Sequence, residues 1–253
     1  MRFVIDNIDS CNSTNSVAAS FPLPGRGEPV RFVATAEQTA GRGQKGNSWE
    51  AEPGRNLTFS AVWHPEGVAS VEQFAISEAV ALAVVDLLSK YGIEAKVKWP
   101  NDIYVADRKI CGILIEHSLL GNEITRTIAG VGINVNQEKF VSNAPNPVSM
   151  KQLTGVKYDL ATLMREYAEA LVRRLDIVAE AEGRRRHHEE YKSKMWRFDS
   201  TPHPFRDTAS GKIYHGEILD VELSGMLHIR SFDDENRYRY AFKEVEFLPS
   251  GLF

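Results

Sequence analysis

Cysteine is scarce in this 253-residue chain, which has only Cys11 and Cys111 and no CxxC pair. Two distant thiols do not build a disulfide framework, and a structural zinc site needs a closely grouped set of cysteine or histidine ligands. The seven histidines show no such spacing. The sequence therefore argues against a disulfide-stapled or zinc-stabilised module and favours a reducing compartment.

Long apolar runs and excess positive charge are also missing. The most apolar stretch, residues 75–88, contains Glu78 and Asp86 and is too polar to span a membrane. The apolar run of Met1–Asp6 is too short for a signal peptide. The formal net charge is −4, whereas a dedicated nucleic-acid binder is usually basic. We expect a soluble cytoplasmic protein that binds neither membrane nor nucleic acid.

Common catalytic and nucleotide-binding motifs are absent as well. No serine lies in a G-x-S-x-G sequence, and no glycine-rich stretch fits the Walker A or G-x-G-x-x-G pattern. The function must therefore be sought in less common constellations.

The overall composition is that of a globular protein, with 43% hydrophobic and 25% charged residues. Apolar and alternating segments predict strands at residues 30–36, 56–63, 95–99, 103–105, 110–117 and 124–134. After Trp196 the pattern changes to short strands separated by turns. We expect an α+β domain over residues 1–200 and a small all-β barrel over residues 201–253.

Two helices and one charged segment complete this outline. Ser70 with Gln73 three residues later is a capping-box pattern that predicts a helix over residues 70–91. Asp159 is predicted to cap an amphipathic helix. The charged run 184–190 is expected to be a solvated helix face, the alternative being a docking patch for an acidic partner.

A loop from Gly41 to Trp49 carries three glycines and two cations, Arg42 and Lys45. Glycines let backbone N–H groups approach a ligand closely, and the cations suit a phosphate or a carboxylate. The loop therefore predicts an anionic ligand, although a flexible hairpin with chance charges would have the same composition.

Two later segments could contact the same ligand. Asn101 and Asp102 lie at a predicted turn, where they could hold a cation, a cationic side chain or a ligand hydroxyl; a plain Asx turn is the alternative. Lys109 opens an apolar strand, and Gly112 would let a flat ligand lie against its backbone. A lysine there could meet a carboxylate or phosphate in a low dielectric, or could keep its head in water.

Gly130 and Gly132 lie within another apolar strand. Glycine weakens a strand, so the close approach of another group is the expected reason for them, with a β-bulge as the alternative. The amide of Asn134 could pair with the edge of a base. On the preceding strand, Cys111 is expected to be a buried structural thiol and Glu116 to lie at the strand end.

Taken in order, these segments resemble the catalytic domain of biotin–protein ligases. That family carries an S-T-N turn, a G-R-G-R-x-G-R-x-W loop, a K-W-P-N-D segment, a K-[IL]-x-G-I-L-[IV]-E strand and a G-x-G-[IL]-N strand. Here they stand as Ser13–Asn15, Gly41–Trp49, Lys98–Asp102, Lys109–Glu116 and Gly130–Asn134. The resemblance implies a class II synthetase-like mixed or antiparallel sheet with helices, followed by an SH3-like barrel.

The resemblance also implies a two-step reaction. The biotin carboxylate attacks the α-phosphate of ATP, supplied with Mg²⁺, and gives biotinyl-AMP and pyrophosphate. A lysine of the biotin carboxyl carrier domain of a carboxylase then attacks the anhydride and releases AMP. Positioning and charge neutralisation would do most of the catalytic work. Whether the chain forms a homodimer stays open.

The implied site has three parts. Lys109, Arg42 and Asp102 would be catalytic. Biotin would be bound by Ser13, Thr14, Asn15, Gln38, Gly41, Arg42, Gly43, Gln44, Lys109, Gly112 and Ile113, with Asn15 bracing the turn. The adenylate would be bound by Arg42, Lys45, Trp49, Asn101, Lys109 and Asn134. Mg²⁺ would enter with ATP near Asn101 and Asp102, without a site built from protein ligands alone.

The chain departs from the family pattern in two places. Gln44 and Asn47 stand where the loop pattern has arginines, and Lys45 offsets this loss in part. The S-T-N turn begins at Ser13, which leaves no room for the DNA-binding domain of some members, so we expect a ligase without DNA-binding function. The alternatives are a lipoate–protein ligase, which shares the fold and chemistry, and a non-catalytic biotin-binding regulator.

Restoring one loop cation tests the first departure. We expect Gln44→Arg to slow the dissociation of biotinyl-AMP, because an added guanidinium can pair with its phosphate. The off-rate of the adenylate from wild type and variant is the measurement, and equal off-rates would contradict the hypothesis.

Overall fold

The computed structural model describes residues 1–43, 48–141 and 146–249. The strands in these ranges are β1 (Phe3–Cys11), β2 (Val30–Gln38), β3 (Leu57–Trp63), β4 (Lys96–Lys98), β5 (Asp102–Val105), β6 (Arg108–Leu120), β7 (Glu123–Ile133), β8 (His203–Asp207), β9 (Ile213–Val221), β10 (Leu227–Ser231), β11 (Arg237–Tyr240) and β12 (Val245–Phe247). The helices are α1 (Thr14–Ser20), α2 (Phe74–Lys90), α3 (Met150–Thr154), α4 (Leu160–Val178) and α5 (Ala181–Ser193).

The first seven strands form one sheet in the order β1-β2-β3-β7-β6-β5-β4. β1 pairs with β2 in parallel through the crossover that contains α1, and the remaining neighbours are antiparallel. Strands β8 to β12 form a second, antiparallel sheet in the order β11-β10-β9-β8-β12. The predicted fold class, a mixed sheet with helices followed by a small β unit, is confirmed.

One face of the large sheet is covered by α2 and α4. Phe59 of β3 packs on Tyr167 of α4 with ring centroids 4.8 Å apart, and Phe32 of β2 lies beside both rings. Thirteen of the 17 residues of α2 are buried, because α4 and α5 pack against it in addition to the sheet. Most of the apolar area removed from water, the main source of folding free energy, lies on this face.

The opposite face of the sheet is covered only in part. Helix α1 rests there on a small apolar cluster formed by Ala18, Val62 and Ile128, with Phe21 packed against it. Because α1 has seven residues, it leaves the neighbouring parts of β6 and β7 open beside its first turn. No helix in the described part of the chain is long and apolar enough to cross a membrane.

The predicted helix starts had different outcomes. Asp159 caps α4 as predicted, its carboxylate accepting from the Thr162 N–H at 2.8 Å. The prediction of a capping box at Ser70 is wrong, because residues 70–72 form a 3₁₀ turn and α2 starts after Gln73 without a side-chain cap. The capping box that does form opens α3, where Ser149 and Gln152 bond reciprocally.

The charged run 184–190 was predicted to be a solvated face, and this is wrong for three of its residues. Arg184, His187 and His188 are buried, which also removes them from the alternative docking patch. Arg184 forms a two-pronged ion pair with Glu72. A charge run is a poor guide to exposure when some of its residues have partners on a segment packed against the helix.

His188 of α5 links α2 to the second sheet. Its Nδ1 lies 2.6 Å from Glu78 Oε1 of α2, and its Nε2 lies 2.9 Å from the Val221 carbonyl at the end of β9. Burial alone would lower the pKa of His188, but the hydrogen bond and charge of Glu78 outweigh it and the pKa is raised. The pair thus fixes α2, α5 and the second sheet to one another.

Removing one member of this pair should destabilise the whole protein. We expect Glu78→Ala to lower the free energy of unfolding by about 3 kcal/mol, because it leaves His188 buried without its partner. Urea denaturation followed by circular dichroism measures this. Glu189→Ala, which changes a largely exposed carboxylate next to His188 on α5, is the control and should cost under about 0.5 kcal/mol. Equal losses for the two variants would contradict a structural role for the pair.

Candidate active site

A cleft opens on the less covered face of the large sheet, beside the first turn of α1. It is lined by Ser13, Thr14, Asn15, Gln38, Arg42, Gly43, Ser48, Trp49, Thr58, Phe59, Asp102, Lys109, Gly112, Ile113, Leu114, Gly130, Val131 and Gly132. Most residues predicted from the motifs therefore lie together. Among the predicted site residues, Gly41, Asn101 and Asn134 lie outside the lining, and Gln44 and Lys45 fall outside the described residues, as does Asn47.

One end of the cleft is neutral and rich in hydrogen-bonding groups. Ser13 is the last residue before α1, Thr14 and Asn15 are the first two residues of that helix, and all three are buried. Gln38 at the end of β2 accepts from the Thr14 N–H at 2.7 Å. Ser13 forms no side-chain capping bond, so its hydroxyl stays available to a ligand.

Asn15 ties the first turn of α1 to the sheet. Its Nδ2 donates to Glu116 Oε2 at 2.7 Å, and its Oδ1 lies 2.5 Å from the hydroxyl of Ser60, a buried residue of β3. Arg42 Nη2 lies 3.4 Å from the same Glu116 oxygen. The prediction that Glu116 ends its strand is wrong, because β6 continues to Leu120.

Sequence reasoning missed both Ser60 and Glu116. A serine with no exposed surface inside an apolar strand is a signal, since a buried hydroxyl needs a partner. Glu116 lies on the same strand face as Gly112, four residues away, and that spacing also pointed to the cleft.

The other end of the cleft is charged. Lys109 Nζ lies 2.8 Å from Asp102 Oδ1, and both side chains are about one-quarter exposed, at 23% and 27%. Three partners were proposed for Asp102: a cation, a cationic side chain and a ligand hydroxyl. The structure shows the second of these, the side chain of Lys109. The Lys109 ammonium is therefore paired with a carboxylate and is not simply solvated. Asn101 donates its amide N–H to the Ile113 carbonyl and so holds the turn against β6.

The glycines of β7 and β6 make room for side chains that lie flat on the sheet. A Cβ at Gly130 would come within 2.2 Å of Asn15 Oδ1, and one at Gly132 within 2.2 Å of Trp49 Cε2. A Cβ at Gly112 would meet the same indole ring at 3.0 Å. The predicted close approach is confirmed, and the bulge alternative is wrong here, since the β6–β7 register shifts only near Ser118.

Gly41 and Trp49 close the base of the glycine-rich loop, where the Trp49 N–H donates to the Gly41 carbonyl at 3.0 Å. The indole N–H of Trp49 is buried without a partner. Asn134 lies behind the cleft, where its amide nitrogen donates to the Val148 carbonyl at 3.2 Å while its Oδ1 has no partner. Only this oxygen is left to meet a further group.

The sequence also led to predictions for Cys111 and for a bound metal ion. Cys111 is fully buried, and burial raises the pKa of its thiol well above the ordinary value, which fits a structural thiol. Among the described residues no group of three or more His, Cys, Asp or Glu side chains could hold a metal ion. Asp102 is the carboxylate among the residues that line the cleft.

Comparisons with known proteins match the part of the chain that holds these motifs. The biotin/lipoate A/B protein ligase family matches residues 9–134. The chain is 32% identical over 169 residues to the biotin–[acetyl-CoA-carboxylase] ligase of Paracoccus denitrificans, covering 64% of this chain and 69% of that protein. It is 32% identical over 142 residues to the bifunctional ligase/repressor BirA of Escherichia coli, covering 53% of this chain and 43% of that protein.

The fold is similar to that of the biotin protein ligase from Aquifex aeolicus in complex with biotin and ATP. The TM-score is 0.80 at 20% identity, over 97% of this chain and 99% of the other. The chain spans 34% to 49% of the length of four BirA proteins that it matches. With the ordered motifs gathered in one cleft, these matches establish that the chain belongs to the biotin/lipoate A/B protein ligase family.

Proposed function

We propose that this protein is an ATP-dependent biotin–protein ligase, which forms biotinyl-5′-AMP and transfers biotin to a lysine of a biotin carboxyl carrier protein. The observation that carries the proposal is the polarity of the cleft. A neutral, hydrogen-bonding end holds Ser13, Thr14 and Gln38, and a charged end holds Lys109 and Asp102. Biotin has the same polarity, with a neutral ureido ring at one end and a carboxylate at the other.

The neutral end suits the ureido ring. That ring offers two N–H donors and one carbonyl acceptor, and hydroxyl groups can serve either kind of partner. The Ser13 hydroxyl is not used in capping α1, and Thr14 and Gln38 face the same cleft. Lipoate carries a dithiolane ring without N–H groups, so this end would leave polar groups unpaired around it.

The charged end suits the first reaction step. The biotin carboxylate oxygen attacks the α-phosphorus of ATP, and the bond to the departing pyrophosphate breaks. Negative charge grows on the α-phosphate oxygens as this happens. Lys109 would stabilise that charge after leaving Asp102, and Arg42 would add a second cation from the loop. Trp49, with its unpartnered N–H, would lie near the adenine.

Magnesium fits this cleft only together with ATP. Mg²⁺ is usually held by one or two carboxylates plus substrate phosphates, and Asp102 is a carboxylate on the lining. When bound, the ion would shield the charge of the phosphates. Asp102 would provide its protein ligand, with Asn101 holding the turn from which Asp102 projects.

The wider assignment rests on the same proposal. Residues 1–200 would form the biotin- and ATP-binding domain and residues 201–253 the small barrel domain. The partner would be the carrier domain of a biotin-dependent carboxylase. We place the reaction in the cytoplasm, where ATP is available and the free thiols of Cys11 and Cys111 are stable.

A turnover assay tests the function directly. With ATP, Mg²⁺ and biotin, we expect pyrophosphate release and, after addition of a carrier domain, one labelled lysine. Lipoate should give neither product, because it cannot satisfy the polar groups of the neutral end. Turnover with lipoate and none with biotin would favour the lipoate ligase. Biotin binding without turnover would favour a regulator.

Lys109 should dominate the adenylation step. We expect Lys109→Met to lower the adenylation rate constant by about 10²–10³-fold, because one charge aimed at the transition state is lost. Single-turnover formation of biotinyl-AMP measures this step. Lys90→Met is the matched control, since Lys90 pairs with Glu166 on the far helices and should not matter. Unchanged adenylation in Lys109→Met would remove Lys109 from the mechanism.

A further inference from the structure

A chain of four polar side chains runs from the edge of the cleft to its neutral end: Glu116, Asn15, Ser60 and Thr14. The contacts are 2.7 Å from Glu116 to Asn15, 2.5 Å from Asn15 to Ser60 and 2.7 Å from Ser60 to Thr14. Ser60 is fully buried, and Asn15 and Thr14 nearly so. Water cannot easily replace these contacts, so their direction matters.

Glu116 is the stronger of two groups that orient the Asn15 amide, since Asn15 Nδ2 lies 2.7 Å from Glu116 Oε2 and 3.5 Å from the Leu114 carbonyl. An ionised carboxylate only accepts hydrogen bonds, so the amide nitrogen of Asn15 must face it. The reversed amide would place a carbonyl oxygen against the carboxylate at the same short distance. The amide oxygen of Asn15 consequently faces Ser60.

This orientation determines the two hydroxyl groups in turn. A hydroxyl has one proton, and Ser60 lies within hydrogen-bond distance of both Asn15 Oδ1 and Thr14 Oγ1. If Ser60 donated to Thr14, two oxygen lone pairs would face each other across 2.5 Å at Asn15. Ser60 therefore donates to Asn15, and Thr14 donates to Ser60.

The direction of these hydrogen bonds decides what the Thr14 hydroxyl offers to a ligand in the cleft. With its proton turned towards Ser60, the Thr14 hydroxyl presents lone pairs to a ligand. In this arrangement Gln38 Oε1 keeps the hydrogen bond from the Thr14 N–H at 2.7 Å and gives up the longer one, at 3.2 Å, from the Thr14 hydroxyl. A ligand N–H, such as that of a ureido ring, is the matching group.

We propose that Glu116 is a positioning residue, which orients the hydrogen-bond chain so that Thr14 accepts from a ring N–H of the substrate. The proposal rests on the biotin ligase function and deepens it, because it assigns part of the selectivity for a ureido ring to a residue outside the cleft lining. The contact from Glu116 to Arg42 is a lesser one, at 3.4 Å between side chains that are 44% and 45% exposed.

A series at position 116 tests the direction of the chain. Glutamine can donate or accept, whereas lysine can only donate and would turn Asn15 around. We expect the dissociation constant of biotin, measured by titration calorimetry, to rise on the order of tenfold in Glu116→Lys and by less in Glu116→Gln. Circular dichroism melting checks that each variant is folded.

Two controls separate this effect from charge and from general damage. Glu123→Lys makes the same change at a carboxylate of similar exposure, 43%, which pairs with Arg26 away from the cleft, and it should leave biotin affinity unchanged. In a Ser60→Ala background the chain is already broken, so Glu116→Lys should cost at most twofold more.

Each outcome separates the hypotheses. A tenfold loss that disappears in the Ser60→Ala background supports the proposal. A Glu116→Lys protein that binds biotin as wild type does, or that loses the same factor with and without Ser60, overturns it while the ligase function stands. Wild-type protein that binds no biotin overturns both.

Discussion

The cleft depends on the missing Cβ atoms at Gly130 and Gly132. Both positions lie in the second half of β7, among buried residues, where a side chain would add packing and lower the entropy cost of folding. Their hydrogen atoms instead leave room for Asn15 and Trp49 to lie against the backbone of β7. A methyl group at either place would overlap those side chains at 2.2 Å, so the floor of the cleft requires these two glycines.

The two faces of the large sheet divide stability and function between them. Phe32, Phe59 and the residues of α2 and α4 bury one face almost completely. The other face carries Thr58, Ser60 and the glycines, and it can do so because the first face supplies most of the hydrophobic free energy. The buried hydroxyls of Ser60 and Thr14 are tolerated on the functional face because they share a short hydrogen bond, and Ser60 has a second one with Asn15.

Much of this arrangement could be predicted from the sequence, and the failures have common causes. The central strands were predictable because they are apolar and bounded by turns. Strand β1 was not, since an edge strand is half exposed and its residues alternate weakly. The burial of Arg184 and His188 was missed because their partners, Glu72 and Glu78, lie about 110 residues away along the chain.

The candidate site shows the same difference between residues that the local sequence could place and residues whose role depends on distant contacts. Residues within short motifs, such as Thr14, Lys109 and Gly132, could be placed because those motifs resemble, in the same order, segments of the biotin–protein ligases. Glu116 belonged to a motif, but its role comes from contacts with Asn15 and Arg42, which are 101 and 74 residues distant. Periodicity carries no information about such pairs, so only the folded structure shows them.

The Lys109–Asp102 pair controls what the charged end can bind. A partly buried ammonium costs free energy unless a counter-charge is near, and Asp102 supplies it at 2.8 Å. An entering ligand must therefore offer Lys109 at least as much negative charge as Asp102 does. A single carboxylate only matches Asp102, whereas a carboxylate beside an α-phosphate exceeds it. Under the proposed ligase function, the pair would disfavour the displacement of Asp102 by biotin alone. The exchange would become favourable when biotin and ATP are both present, which is when the cation would be needed for the reaction.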